Sequence, residues 1–173
     1  MADETPGTPA PAPAAAAPGA EQPKLMLHSQ FLQDMSFENP QGAKSFSKAD
    51  IKPQVQVNLN VDSRKLGETL YEVSLKINAN AKQDEEDCFL TEIDYRGVFS
   101  LTGIEENLIP QILLIEGPRT IFPFARRIIA DAVRDGGFPP LMLEPVDFVS
   151  LYRQHATRRA AEAEAGDKGA DKA

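Results

Sequence analysis

The sequence has little of what catalysis and metal binding require. It contains two histidines, a single cysteine and no tryptophan among 173 residues. Neither His28 nor His155 has neighbours at the spacing of a catalytic triad or a metal site, so both are interpreted as structural or solvated. Cys88 lacks a CxxC partner and lies beside Asp87, which disfavours its thiolate, so we expect a buried, inert thiol. We therefore predict no enzyme activity, no metal and no cofactor.

The chain also lacks a basic surplus. Its 18 Lys and Arg residues against 26 Asp and Glu residues give a formal net charge of −8. Nucleic-acid binding usually requires a basic surface, so no nucleic-acid partner is indicated. A basic protein partner is electrostatically easier. The acidic run at residues 84–87 lacks the glycine and terminal glutamate of a calcium-binding EF-hand loop, so a solvated turn is favoured.

Long apolar runs and a disulfide framework are absent as well. No run approaches the roughly 18 residues of a membrane-spanning helix, so no membrane insertion is expected. The N-terminus is acidic and rich in proline and alanine, whereas a secretory signal begins with basic residues followed by an apolar core. A single cysteine allows no intramolecular disulfide. We therefore expect a cytoplasmic protein.

Composition divides the chain into three parts. Residues 1–23 contain six prolines, many alanines and no large apolar residue after the initial methionine. Such a segment cannot bury enough apolar surface to offset its ordering entropy, which predicts a disordered tail. Residues 24–155 carry the apolar periodicity of one folded domain. Residues 156–173, with Gly166 and Gly169, are expected to form a mobile C-terminal tail.

Four segments of the domain alternate apolar and polar residues with the period of a β-strand. They are residues 24–38, VQVNLNV, LYEVSLKINANA and CFLTEIDYRGVFSLTGI. In the first segment the alternation places five apolar residues on one side: Leu25, Leu27, Phe31, Met35 and Phe37. Four successive strands with short links predict an antiparallel meander with one covered face.

The second half of the domain changes to a helical period. Leu108, Ile112 and Ile115 predict a helix that ends at Glu116-Gly117-Pro118. FPFARRIIADAVRDGG predicts another helix capped by its two glycines, and PVDFVSLYRQHA predicts a final amphipathic helix. Strands followed by helices predict an α+β fold, a four-stranded antiparallel sheet followed by C-terminal helices.

Acidic residues recur on one side of the first and fourth predicted strands. Asp34 and Glu38 alternate in DMSFE, and Glu92 follows Leu90 in FLTE. If both strands present the same face, the three acids surround an apolar centre. Charge complementarity gives an interface specificity and a fast on-rate, and desolvated apolar anchors give affinity. The solvated outer face of a sheet is the alternative, and the alternation alone favours it.

Two further sets of apolar residues have open interpretations. The opposite row of the fourth strand fits either the core or a subunit interface: Thr91, Ile93 and Tyr95. Apolar residues also lie outside the regular elements, at Phe46, Ile51, Phe138, Leu141, Met142 and Leu143. Methionine and aromatic residues on connections can form an adaptable contact surface, and capping of the core edges is equally consistent.

Several motifs, in this order, resemble the SecB family of bacterial export chaperones. They are DMSFENP, VQVNLNV, FLTEIDYRGVFSLTGIE and FPPLMLEPVDF, within a resemblance that covers about residues 24–155. The resemblance implies a non-catalytic holdase that keeps precursor proteins unfolded and delivers them to the motor ATPase SecA. It also implies a homotetramer assembled as a dimer of dimers. The alternative within the same fold is a generic holdase that controls a toxin–antitoxin system.

The resemblance further implies roles for individual residues. It assigns SecA binding to Asp34, Glu38, Leu90 and Glu92. It assigns a client-binding groove to Phe46, Ile51, Phe138, Leu143 and Phe148. It assigns the subunit interface to Thr91, Ile93 and Tyr95. The chain departs from the family pattern in having no tryptophan in the connection after the first strand, where Ile51 lies near that place.

Overall fold

The computed structural model describes residues 23–46 and 52–157. Its strands are β1 (Lys24–Glu38), β2 (Gln54–Lys65), β3 (Leu70–Gln83) and β4 (Glu86–Thr102), followed by the helix α1 (Ile109–Asp135). Two short 3-10 turns lie at Gly42–Phe46 and Glu106–Leu108. An extended segment then leads to a second helix, α2, described over residues 148–157. The predicted α+β class is confirmed, and most of both predicted tails lies outside the described residues.

The four strands form one antiparallel sheet in the order β1-β4-β3-β2. The predicted meander is right for β2, β3 and β4 but wrong for β1, which pairs with β4. Three strands joined by hairpins, with a fourth that returns by a long connection, make a Greek-key arrangement. Alternation within a strand carries no information about its neighbours, and this connection is long enough to let β1 reach the far edge.

The alternation of β1 is interrupted twice, between Leu27 and Ser29 and again between Leu32 and Asp34. Each extra residue moves the following side chains to the other face of the sheet. Phe31 pairs with Arg96 on the outer face as a result. The prediction that Phe31 shares a side with the other apolar residues of this strand is therefore wrong.

The helix α1 is continuous through the predicted stop at Glu116-Gly117-Pro118, so that prediction is wrong. Pro118 has no N–H to donate to the carbonyl of Leu114, which weakens the helix at this point. Gly117 and Pro118 are nonetheless buried, and a Cβ on Gly117 would lie 2.9 Å from Val73. Packing of the helix close against the sheet thus overrides the local stop signal. The predicted cap is confirmed, since the Gly136 N–H donates to the Ala132 carbonyl at 2.8 Å.

The core lies between α1 and the inner face of the sheet, which is the face that α1 covers. Its largest fully buried side chains include Leu75, Ile77, Phe89, Ile93, Phe99, Leu113, Ile121, Ile129 and Phe148. Aromatic rings close one end, where Phe89 lies 5.9 Å from Phe37 and 5.1 Å from Phe138 between ring centroids. No helix within the described residues combines the length and the apolarity needed to cross a lipid bilayer.

Asp147 caps the start of α2. Its carboxylate accepts hydrogen bonds from the Val149 and Ser150 backbone N–H groups at 3.0 and 3.1 Å, and from the Ser150 hydroxyl at 2.7 Å. The bond from the Ser150 hydroxyl, followed by the backbone bonds, lowers the pKa of Asp147. The prediction of a final helix in PVDFVSLYRQHA is confirmed. The helix begins after Asp147, and aspartate is one of the residues preferred at the N-cap position.

Candidate functional site

The outer face of the sheet, which points away from α1, is the candidate site. Strand pairing arranges its side chains in rows that run across the strands from β1 to β2. The first row contains Glu38, Leu90, Asn80 and Gln56. The second row contains Ser36, Glu92, Asn78 and Asn58. The acidic residues of the first and fourth strands therefore lie on the same face of the sheet, as the predicted acidic surface requires.

Three carboxylates and one leucine form what we call the acidic patch: Asp34, Glu38, Leu90 and Glu92. The three acids are exposed and Leu90 is half-buried. Neighbouring strands lie about 4.8 Å apart, so the acids of β1 and β4 share one small area. Within the described part of the chain, no Lys or Arg forms an ion pair with any of the three. The patch is therefore a negative surface without an ion pair from the described chain, and Leu90 lies at one end of it, opposite Glu38.

Glu92 is held by a neighbour that leaves its charge in place. Asn78 lies directly opposite Glu92 on β3. In the amide orientation that satisfies both groups, Asn78 donates to the two carboxylate oxygens of Glu92 at 3.1 and 3.3 Å. The amide is neutral, so it orients the carboxylate without neutralising it.

Farther along the same face, the acids are compensated by arginines. Glu72 contacts Arg64 Nε at 2.8 Å and Arg96 Nη1 at 3.0 Å. Asp94 contacts Arg96 Nη2 at 2.6 Å and accepts a hydrogen bond from the Ser74 hydroxyl at 2.7 Å. We call these five residues the charge cluster. Glu72 and Asp94 are only 6% and 7% exposed, so both acids are buried within a set of partners supplied by the chain itself.

The partners of Asp94 determine its protonation. Burial by itself would raise the pKa of the Asp94 carboxyl, but hydrogen bonds from Arg96 and Ser74, with the attraction of Arg96 and Lys76, hold it below its usual value. The hydrogen bond to Asp94 in turn raises the pKa of Arg96. The charge cluster is thus an internally satisfied ion-pair network.

Sequence comparison assigns the chain to a family. A family model described as preprotein translocase subunit SecB matches residues 18–159. The chain belongs to the SecB family. The protein-export protein SecB of Parvibaculum lavamentivorans is 46% identical over 138 residues, covering 80% of this chain and 82% of that protein. The protein-export protein SecB of Rhodopseudomonas palustris is 48% identical over 146 residues, covering 84% and 90%.

The fold is also similar to that of a solved structure. It is a SecB-like chaperone of Mycobacterium tuberculosis in complex with an antitoxin peptide, with a TM-score of 0.59 and 13% sequence identity. The superposition covers 70% of this chain and 90% of that one. At this identity the likeness extends to the fold alone.

The residues that the SecB resemblance assigns to the subunit interface lie in the core of one protomer. Thr91, Ile93 and Tyr95 are 1%, 0% and 7% exposed. The Thr91 hydroxyl also donates to the Ser36 carbonyl at 3.0 Å, which ties β4 to β1 behind the acidic patch. The core interpretation, one of the two left open by the sequence, is thus confirmed. A role of these three residues in the subunit interface stays a prediction. Because they are buried, they would influence such an interface indirectly, by supporting the strands that form it.

The residues assigned to the client groove are buried where the structure describes them. Phe138, Leu143 and Phe148 are 3%, 7% and 2% exposed. The side chain of Phe46 and the whole of Ile51 lie outside the described residues. Client contact by the three buried residues stays a prediction, and it requires the segment after α1 to move away from the core.

The two histidines lie on different elements of the fold. His28 is exposed at the first irregularity of β1, and His155 lies on α2 beside Leu151 and Tyr152 at a cavity of about 20 Å³. Cys88 is buried, as expected. In residues 23–46 and 52–157, no group of three or more His, Cys, Asp or Glu residues is arranged to hold a metal ion.

Sequence reasoning missed two features of the outer face. The first is the charge cluster, because the alternation places Asp94 beside the other acids but does not show which arginine lies across the strand. The second is a set of amides on every second position of two strands: Gln54, Gln56, Asn58, Asn60, Asn78 and Asn80. Their period was visible in the sequence. Their continuity with the acidic patch depends on the strand order.

Proposed function

We propose that this SecB family member docks on the motor ATPase SecA through the acidic patch and delivers unfolded precursor proteins to it. The observation that carries the proposal is that the acids of the acidic patch lack ion-pair partners, whereas the acids of the charge cluster have them. Asp34, Glu38 and Glu92 are exposed and form no ion pair with a Lys or Arg of the described chain, while the acids of the charge cluster are fully paired. Leu90 supplies the apolar contact that such an interface needs for affinity.

Family membership supports the role in export. The curated relatives are protein-export proteins at 46% and 48% identity over most of both chains. The mycobacterial chaperone, whose name mentions an antitoxin peptide, shares only the fold, so it gives little support to a toxin–antitoxin role here. Protein-export chaperoning is therefore the function of this chain that the observations favour.

Holding an unfolded client requires apolar surface that accepts many sequences. Large apolar side chains are exposed at several places, including Leu32, Met35, Phe124 and Met142. Each square ångström of apolar area that is removed from water contributes roughly 25 cal/mol, so modest contacts along one client add up to useful affinity. Methionine adapts to different partners. We infer that clients bind such surface rather than a shaped pocket.

We propose that the protein is cytoplasmic and assembles as a dimer of dimers. Several copies in one assembly would raise the effective concentration of binding surface along a long client. Light scattering would test this, with the mass measured alone, with an unfolded precursor and with SecA. A monomeric mass under all three conditions would contradict the assembly and leave the docking site to its own test.

Charge reversal tests the docking site. Asp34→Lys and Glu92→Lys should each weaken SecA binding by roughly tenfold or more, because each replaces attraction with repulsion for a basic partner. Isothermal titration calorimetry with purified SecA measures the affinity. Binding of a reduced, unfolded protein and the mass of the assembly should not change.

Asp62→Lys is the matched control, since it makes the same charge change on the same face outside the acidic patch. Asp62 is exposed and lies opposite Ser74 on β3. If both patch variants bound SecA as tightly as the wild type, or if Asp62→Lys weakened binding equally, the site assignment would be wrong.

A further inference from the structure

A shallow depression crosses the outer face between the first two rows of side chains. Its volume is about 190 Å³, and it runs from Glu38, Leu90 and Glu92 at one end to Asn58, Asn78 and Asn80 at the other. Small-molecule pockets usually exceed roughly 300 Å³. The depression is thus too small for a typical cofactor or metabolite, and its length suits a short stretch of polypeptide.

The two ends of the depression differ in chemistry. At the β1–β4 end, carboxylates can only accept hydrogen bonds and attract cations. At the β3–β2 end, each asparagine offers both a donor and an acceptor, which matches the N–H and C=O of a peptide group. One end therefore suits a Lys or Arg side chain, and the other suits the main chain of the same segment.

The side-chain oxygen of Asn80 supports this interpretation. Its Oδ1 is buried and has no hydrogen-bond partner within the described residues. Buried polar atoms are nearly always paired in folded proteins. Rotation of the Asn80 amide toward the depression would let this oxygen accept an N–H from a partner that lies there. Asn58 on β2 lies opposite Asn78 and is exposed, so its amide is open to a partner.

The length of the depression sets the size of its occupant. Three gaps between neighbouring strands of about 4.8 Å give a crossing of roughly 14 Å. An extended chain rises about 3.4 Å per residue, so roughly four residues cross the sheet.

We propose that Asn58, Asn78 and Asn80 form the second half of the docking site. They hydrogen-bond the main chain of an extended partner segment of about four residues, whose Lys or Arg pairs with Glu38 and Glu92. Charge complementarity with the acidic end identifies the basic character of the segment. The inference rests on the proposed function, because SecA is the partner in which the segment is sought.

Two alanine variants test the amide half. Asn58→Ala and Asn80→Ala should each weaken binding of purified SecA by roughly 2- to 10-fold, the range of one net hydrogen bond. Gln54→Ala is the matched control, since Gln54 is an exposed amide on the same strand and face as Asn58 but outside the depression. It should bind SecA as the wild type does. Asn78 is left unchanged because it also orients Glu92.

Salt dependence separates the two halves. Between about 0.05 M and 0.3 M salt, the loss caused by Glu38→Gln should shrink, because screening already weakens that ion pair in the wild type. The loss caused by Asn58→Ala or Asn80→Ala should stay the same at both concentrations, because neither change removes a charge.

The outcomes distinguish this inference from the proposed function. If Glu38→Gln weakens SecA binding while both asparagine variants bind normally, the amide half is wrong and the acidic patch stands. If neither Glu38→Gln nor the asparagine variants change SecA binding, the docking site itself fails. Loss of unfolded-protein binding with unchanged SecA binding in the asparagine variants would also overturn the inference, since the depression would then hold a client.

Discussion

The outer face of the sheet has two acidic regions that differ in one respect. In the charge cluster, Glu72 and Asp94 are buried and face arginines of the same chain. In the acidic patch, Glu38 and Glu92 are exposed and form no ion pair with a Lys or Arg of the described chain. Both regions lie on the same sheet, and β4 contributes to both. Acids that the chain compensates itself support the fold, whereas acids left uncompensated are available to a partner.

The largest expected effect comes from removing the shared arginine of the charge cluster. Arg96→Leu leaves Asp94 buried without its ion-pair partner and leaves Glu72 with only Arg64. Breaking a buried ion pair in this way typically costs about 3 kcal/mol or more of unfolding free energy. Thermal or urea unfolding at matched protomer concentration measures the loss.

Glu92→Gln supplies the comparison for that variant. It removes one charge from the exposed patch and keeps a side chain of the same shape, so the unfolding free energy should stay within about 0.5 kcal/mol of the wild type. Equal destabilisation by the two changes would erase the distinction between the regions.

A smaller effect is expected when the acidic patch is converted into a compensated region. Ser36 is exposed and lies directly opposite Glu92, so Ser36→Lys places a cation among the three acids. SecA affinity should fall roughly tenfold, because the new lysine competes for the acids. The protein itself should gain only about 0.2 to 1 kcal/mol from the cross-strand pair.

Calorimetric titration with SecA and thermal unfolding measure these two changes on the same sample. Ser36→Ala is the control for loss of the hydroxyl and should leave SecA binding unchanged. Undiminished SecA binding by Ser36→Lys would show that the free charges of the patch are not what the partner recognises.

The smallest expected effect is a change in protein stability with pH in the acid range. The pKa of Asp94 in the folded protein is lower than its usual value of 3.8, so ionised Asp94 stabilises the fold above that pH. This contribution is lost as the pH falls from 3.8 through the lower folded-state value. Asp94→Asn should therefore be less stable than the wild type near pH 6, and the difference should narrow towards pH 3.

Melting temperatures of the wild type and Asp94→Asn over this pH range test the sign. Asp147 caps the start of α2 and its pKa is lowered in the same direction, but it is present in both proteins and cancels from the difference. A gap that widened as the pH fell would contradict the assigned direction for Asp94.

Local patterns predicted most of the elements but not all of their relations. The period-2 segments gave all four strands, and the cap at Gly136 gave the end of α1. The predicted helix end at Gly117-Pro118 was wrong. Gly117 allows the helix to pack close against the sheet, but in the sequence alone a glycine before a proline indicates the end of a helix. The side of Phe31 was also missed, because an extra residue in a strand leaves no local signature in its composition.

The candidate site was only partly accessible to sequence reasoning. Asp34 and Glu38 on one strand, with Leu90 and Glu92 on another, could be proposed from alternation and from the resemblance to SecB. The amides of β2 and β3 could not be joined to them, because nothing in a linear pattern says which strands are neighbours. Arg96 could not be assigned to Glu72 for the same reason, since the two residues are far apart in sequence.

The sequence by itself determined the strand and helix periods, the acidic balance and the SecB family. These are properties of residues close together along the chain, or of motifs that a family shares. Only the tertiary structure decided that β1 lies beside β4, which acids are neutralised and where the amides meet the acidic patch. Those outcomes depend on contacts between distant residues, and the energy of each contact exists only once the strands are paired.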